Sequence, residues 1–330
     1  MPHPKFLPLL LLTLTCRLVS AADWQPITTE LLKAEKAGYG GLCGVVVQPA
    51  TGDITINVSD RGLYRSTDQG KTWKRLGTAE LKGRTETPGC LMIDPIGGQR
   101  LVSALVYGSP IIASDNLGES WRVLDKKSGH VDWCAVDWTD PELKFILTLK
   151  HESGGLLLKS HDGGKTFEEG GKGWGPAFIF DAKTAVVSKT KSQAHPNGAL
   201  LRTDDGAKSF QPCGEYHARA LPRLKEGKLF WLVDGALVST ADQGKTWKKL
   251  SEVKDGICGP VFGADARHLF LLTNAGIRES KDGGATWEPA IALPAAMKGA
   301  GSLSWVDYDA KNDILYVMKM TSELYQLRRK

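Results

Sequence analysis

Three carboxylates and three imidazoles in this 330-residue chain are suited to proton chemistry: Asp132, Glu152 and Glu215, with His130, His151 and His217. Two carboxyls about 5–10 Å apart can hydrolyse a glycosidic bond, and a histidine beside either can carry a proton to or from a reacting group. Tyr107, Trp133, Trp174 and Tyr216 offer rings that stack on a ligand, and Arg61, Arg84 and Arg219 offer guanidinium forks that fit a carboxylate. No local motif joins these residues, which are scattered over half the chain. Whether they make a site or a solvated rim, and whether the aromatics are a platform or core, depends on the fold that gathers them.

The elements that would do so are announced by "STDQGKTW", in which Ser66, Asp68, Gly70, Thr72 and Trp73 follow the order Ser/Thr-x-Asp-x-Gly-x-Thr/Ser-aromatic. The order returns as Ser160, Asp162, Gly164 and Phe167, as Thr240, Asp242, Gly244 and Trp247, and as Ser280, Asp282, Gly284 and Trp287. Two degraded copies complete the series. One has Asn116 in the Asp place, with Ser114, Gly118 and Trp121; the other has Ala207 in the Gly place, with Thr203, Asp205 and Phe210. The copies start at 66, 114, 160, 203, 240 and 280, intervals of 48, 46, 43, 37 and 40 residues. A supersecondary unit of four strands needs about that length. The spacing has a mechanical reading: short acceptors hold the N–H groups of a hairpin turn, glycine supplies a positive φ, and the aromatic opens the next strand.

Strand-like runs fill the intervals. Gly44–Pro49, Ile54–Val58 and Leu63–Ser66 precede the first box and Thr72–Leu76 follows it, and the alternation of Ile54, Ile56 and Val58 is that of a half-buried strand. The stretch after the last box supplies only three strands. Ala22–Ile27, "ADWQPI", is similar to the post-box run "ATWEPA" and can supply the fourth, closing the ring and removing its free edge.

On these residues the repeats resemble Asp-boxes, or BNR repeats, as found in sialidases, xyloglucan-degrading enzymes, sortilin-type receptors and the photosystem II assembly factor. The resemblance covers nearly all of residues 22–330 and implies an all-β, seven-bladed β-propeller with six Asp-box turns, forming one domain whose last blade is closed by the N-terminal strand. It also implies two faces. The boxes lie on one; the loops entering each innermost strand and joining second to third strands lie on the other, which carries the candidates of the first paragraph. The resemblance does not choose an activity. The early Phe/Tyr-Arg-Ile-Pro motif of sialidases is absent, and xyloglucan-degrading enzymes resemble two such propellers where this chain supplies one. The box aspartates belong to turns on the other face, and one carboxylate per box is too few oxygens for calcium. Two readings stay open: a recognition module for a glycan or protein at the mouth of the central channel, and a carbohydrate-active hydrolase or lyase using the acids and histidines. Neither calls for a metal or cofactor.

Composition sets the outer bounds. With 42% hydrophobic and 24% charged residues the chain is globular rather than disordered, and 37 glycines with 10 tryptophans fit many turns and aromatic anchors. Lys5, the apolar run 6–14 and the small residues 19–21 read as a signal peptide cleaved near Ala21, giving a secreted or periplasmic protein; lipidation at Cys16 lacks the upstream leucine. Cleavage takes the formal charge from +5 to +3, since Lys5 and Arg17 leave with no acid. That balance does not point to nucleic acid. No further run spans a membrane, and a monomer is expected. Cys43, Cys90, Cys134, Cys213 and Cys258 remain, an odd number that leaves buried thiols, a disulfide or a weak metal site open.

Overall fold

The computed structural model describes residues 22–37, 41–77, 91–104, 107, 111–125, 128–218 and 220–329. Residues 1–21, with the cleavage site and Cys16, lie outside them, as do Arg84, Cys90 and Arg219. Among the described residues no helix is long and apolar enough to cross a membrane.

Seven antiparallel sheets stand around a central channel, each a meander whose first strand is innermost. Blade 1 is Gly44–Val47, Ile54–Val58, Gly62–Ser66 and Lys74–Arg75. Blades 2 to 5 repeat it with innermost strands Leu91–Ile93, Val131–Val136, Trp174–Ile179 and Arg223–Lys225. Blade 6 has three full strands from Gly256–Phe262 onward, and a single bridge, Ile277 to Ile291, stands in for its outer strand. Blade 7 is Ser304–Asp309, Ile314–Lys319, Tyr325–Arg328 and, from the other end of the chain, Gln25–Pro26.

That closure is a short ladder with strong fastenings. Gln25 pairs with Gln326 and Pro26 with Tyr325. The Ile27 N–H donates to the Leu324 carbonyl at 2.9 Å, and the Leu324 N–H donates to the hydroxyl of the buried Thr28 at 3.0 Å. One α-helix among the described residues, Thr29–Glu35, follows the seam and leads into blade 1.

One expectation changes. The alternation of Ile54, Ile56 and Val58 suggested a half-buried strand, yet Thr55 and Asn57 are buried as well. Neighbouring blades cover both faces of each sheet, so an outward-facing position does not meet water. Asn57 is satisfied inside by donating to the carbonyls of Ser59 and Gly62, each at 3.2 Å.

The boxes are the clamps between blades. The Ser66 hydroxyl accepts the Gly70 N–H and donates to Asp68, while Asp68 accepts the Thr72 N–H at 2.9 Å and its hydroxyl at 2.6 Å. Blades 3, 5 and 6 repeat the set through Asp162, Asp242 and Asp282. Blade 2 keeps the shape with Asn116 by reversing one bond: its amide donates to the Ser120 hydroxyl at 3.0 Å, because an amide has only one acceptor oxygen. The box glycines of blades 1, 2 and 3 press against Ile27, Leu76 and Leu124, each the residue following the outer strand of the preceding blade.

The threonine hydroxyl, then the backbone N–H groups, hold the carboxyls of Asp68, Asp162, Asp242 and Asp282 down to about 2. A folded value below the unfolded one means stability that is present above the unfolded value, about 4, and lost as pH falls toward 2. Thermal melts are therefore expected to hold level down to pH of about 5 and to drop between about 4 and 2. Loss of stability confined to a higher range would assign acid sensitivity to other groups.

Candidate functional site

The face opposite the boxes gathers several of the residues singled out in the sequence. His151, in the second-to-third loop of blade 3, places Nδ1 2.5 Å from Oδ1 of Asp132 on the innermost strand of the same blade. Its Nε2 lies 3.1 Å from the hydroxyl of Tyr107, which comes from the corresponding loop of blade 2. A carboxylate on Nδ1 fixes the proton there and leaves Nε2 to accept from the phenol. Glu152 sits 3.7 Å from the same Nε2, and His130 meets the Tyr107 ring edge-on with centroids 4.6 Å apart. Tyr107 is 40% exposed, so this chain of groups reaches the surface at that residue.

A second pair lies further round the same face. His217 Nδ1 is 3.2 Å from Asp234, which also holds Lys191 at 2.7 Å. Glu215 is exposed and stands outside both groups, and Tyr216 packs partly buried against the core of blades 4 and 5. Trp133 and Trp174 are 4% and 7% exposed and belong to the core between blades. The Trp174 ring is covered by Phe210 and by the Lys189 ammonium, 3.8 Å from its centroid. Arg61 caps the helix, donating to the carbonyls of Glu35 and Lys36 at 2.9 and 2.8 Å. Arg84 and Arg219 lie outside the described residues.

A cavity of about 420 Å³ opens at the other end of the channel, bounded by innermost strands and by the turns that leave them, on the same side as the boxes. Its wall is mainly apolar, with four prolines, Pro49, Pro95, Pro222 and Pro260, and Ile96 stands at the rim 62% exposed. Its polar side chains are mostly committed. Gln48 bonds to the Gly98 carbonyl and to the N–H groups of Ala50 and Thr51, Asp94 pairs with Arg100, and Lys225 donates to the Gly263 carbonyl. Asp307, deep in the channel on blade 7, accepts the Val47 N–H of blade 1 at 2.9 Å and its neighbour Tyr308's at 2.8 Å. Burial raises the Asp307 carboxyl above the ordinary carboxylate range, against the pull of Arg223 and the two N–H groups. The Arg223 guanidinium makes no hydrogen bond or ion pair to any described residue, though it acts electrostatically on Asp307 and Cys258.

The BNR/Asp-box repeat model matches at residues 64–75, on the first of six turns that share its hydrogen bonds. The chain is a seven-bladed β-propeller that carries Asp-box turns. No curated protein sequence matches it. Among solved structures, YCF48 bound to D1 peptide is 14% identical, with a TM-score of 0.56 over 94% of this chain and 96% of that one. YCF48 from Cyanidioschyzon merolae is 13% identical, with 0.54 over 93% and 99%. The extracellular domain of BT4673 from B. thetaiotaomicron is 11% identical, with 0.60 over 94% of this chain but 40% of that one. At such identities the likeness is one of fold.

Sequence reasoning about this Asp-box propeller passed over Arg223 and Asp307. Both carried a signal: they are charged residues on innermost strands, where the side chains that do not pack between blades face the channel. Among the described residues no disulfide joins Cys43, Cys134, Cys213 and Cys258, and no cluster of metal-ligating side chains occurs. Burial pushes the Cys213 and Cys258 thiols up, which suits packing more than reactivity.

Proposed function

We propose that this Asp-box propeller is a recognition module, working outside the cytoplasm as a monomer once residues 1–21 are removed, and that it holds a peptide or protein segment at the mouth of its central channel. One observation carries the reading: an apolar cavity of about 420 Å³ with the Arg223 guanidinium in its wall, hydrogen-bonded to no described residue and facing only the electrostatic pull of the buried Asp307. Ligand sites are commonly concave and apolar with a few placed polar groups. A proline-lined wall favours amino-acid side chains over a hydroxyl-rich sugar, which would find few partners. The guanidinium would take a carboxylate, from an acidic side chain or a chain terminus. YCF48, a structural neighbour, is bound to D1 peptide, which supports the peptide reading over the glycan one.

The enzyme reading has one observation in its favour, the placing of Asp132 and Glu152 on the two sides of the His151 ring. Asp132 is committed to that ring, so the two do not make a free pair across a sugar. The two readings separate on a peptide library and a glycan array probed with residues 22–330. Binding to acidic peptides is expected, and Arg223→Ala should weaken it about 10–100-fold, the worth of one charge-assisted hydrogen-bonded contact. Binding confined to glycans, with reducing-end products, would replace this reading with the enzymatic one.

A further inference from the structure

On the face away from the cavity, Tyr107, His151 and Asp132 stand in the order nucleophile, base and orienting carboxylate. The hydroxyl-to-Nε2 distance is 3.1 Å and the Nδ1-to-carboxylate distance 2.5 Å. This is the geometric signature of an activated nucleophile: a base within hydrogen-bond reach of the attacking oxygen, itself held by a third group. The three come from two adjacent blades, and the alignment is fixed on the base side, where the His151 N–H donates to the His130 carbonyl at 2.8 Å. His151, the base, is the most buried of the three, its side chain 12% exposed against 30% for Asp132, and Tyr107 is 40% exposed.

We propose that Tyr107 is an acyl acceptor for carboxylic esters, with His151 as its general base and Asp132 as the residue that positions His151. The phenol oxygen attacks the ester carbonyl, its proton passes to His151 Nε2, and the collapsing intermediate breaks the bond to the alcohol, which leaves with that proton. Water, deprotonated by the same nitrogen, then releases the acid and restores the phenol. The chemistry favours acyl transfer for this set. Phenols ionise near 10, closer to an imidazole base than an alcohol is, and an aryl ester gives up its phenol readily in the second step. A glycosidic step would need a free carboxylate pair.

The test is incubation of the purified chain with p-nitrophenyl acetate, reading p-nitrophenolate release and the position of the acetyl group by peptide mass spectrometry. Acetyl on Tyr107 is expected, formed at least about 100-fold faster than on N-acetyltyrosine amide, the range that general base catalysis supplies. Tyr107→Phe should abolish the adduct, and His151→Gln and Asp132→Asn should each slow it at least about tenfold with unchanged melting temperature. Acetyl found only on lysines, or a Tyr107 rate equal to the free amide and indifferent to His151→Gln, would overturn the proposal. Peptide binding at the cavity is read separately and does not depend on this outcome.

Discussion

Deleting residues 22–28 is expected to lower the melting temperature by roughly 10 °C or more and to bring on association through the exposed blade edge. The segment is short, but its fastenings are dense. It carries the ladder to Gln326 and Tyr325, the Ile27 and Thr28 bonds to Leu324, and the bond from the Trp24 indole to the Ala292 carbonyl at 2.7 Å. The Trp73 indole of the first box also donates to the Ile27 carbonyl, at 3.3 Å. At about 1 kcal/mol for each hydrogen bond, with the burial of Ile27 added, about 5 kcal/mol is lost. Circular-dichroism melts and size-exclusion chromatography of the truncated chain read both effects. A peptide of residues 22–28 added in trans should restore part of the stability by strand addition. A truncated chain melting within about 2 °C of the parent would mean that blades 7 and 1 hold together without the seam. The same deletion is expected to weaken ligand binding, because the Val47–Asp307 bond spans this seam in the wall of the cavity.

How much of this was legible depended on whether a physical demand was local. A box turn needs an acceptor, a carboxylate, a positive φ and an aromatic within eight residues, so six copies and their spacing announced the blades directly. Closure by the N-terminal strand followed from counting strands and from the likeness of "ADWQPI" to the other post-box runs. The burial of Thr55 and Asn57 was hidden, because alternation along one strand says nothing about a second sheet packed on its polar side. The meeting of Asp132 with His151 was hidden in part. Their loops could be placed on one face, but a side-chain distance across 19 residues has no sequence signature. Arg223 and Asp307 carried only the signal of a charge on an innermost strand, and their meeting was hidden: they belong to blades 5 and 7, and only the ring brings their strands to one channel.

The box position itself yields the other large effect. Gly164→Ala is expected to cost about 3 kcal/mol or more and to lower the melting temperature by roughly 6–10 °C. Two causes add there. The residue sits at φ +84°, where an L side chain is strained, and a Cβ would stand 2.1 Å from the Leu124 carbonyl oxygen, a backbone atom that cannot turn aside. Ala207, the natural departure from the pattern, occupies the equivalent place at φ 62° and is buried. It is accommodated where the preceding blade differs: the residue after that blade's outer strand, which is Ile27, Leu76 or Leu124 for the boxes of blades 1, 2 and 3, is Gly170 and has no side chain. Ala207→Gly should accordingly change stability by less than about 1 kcal/mol, the relief of strain being offset by the lost methyl burial and the freer unfolded chain. Comparable melting temperatures for Gly164→Ala and the parent would show that the blade 2 backbone can yield, and that the boxes order their own turns without clamping one blade to the next.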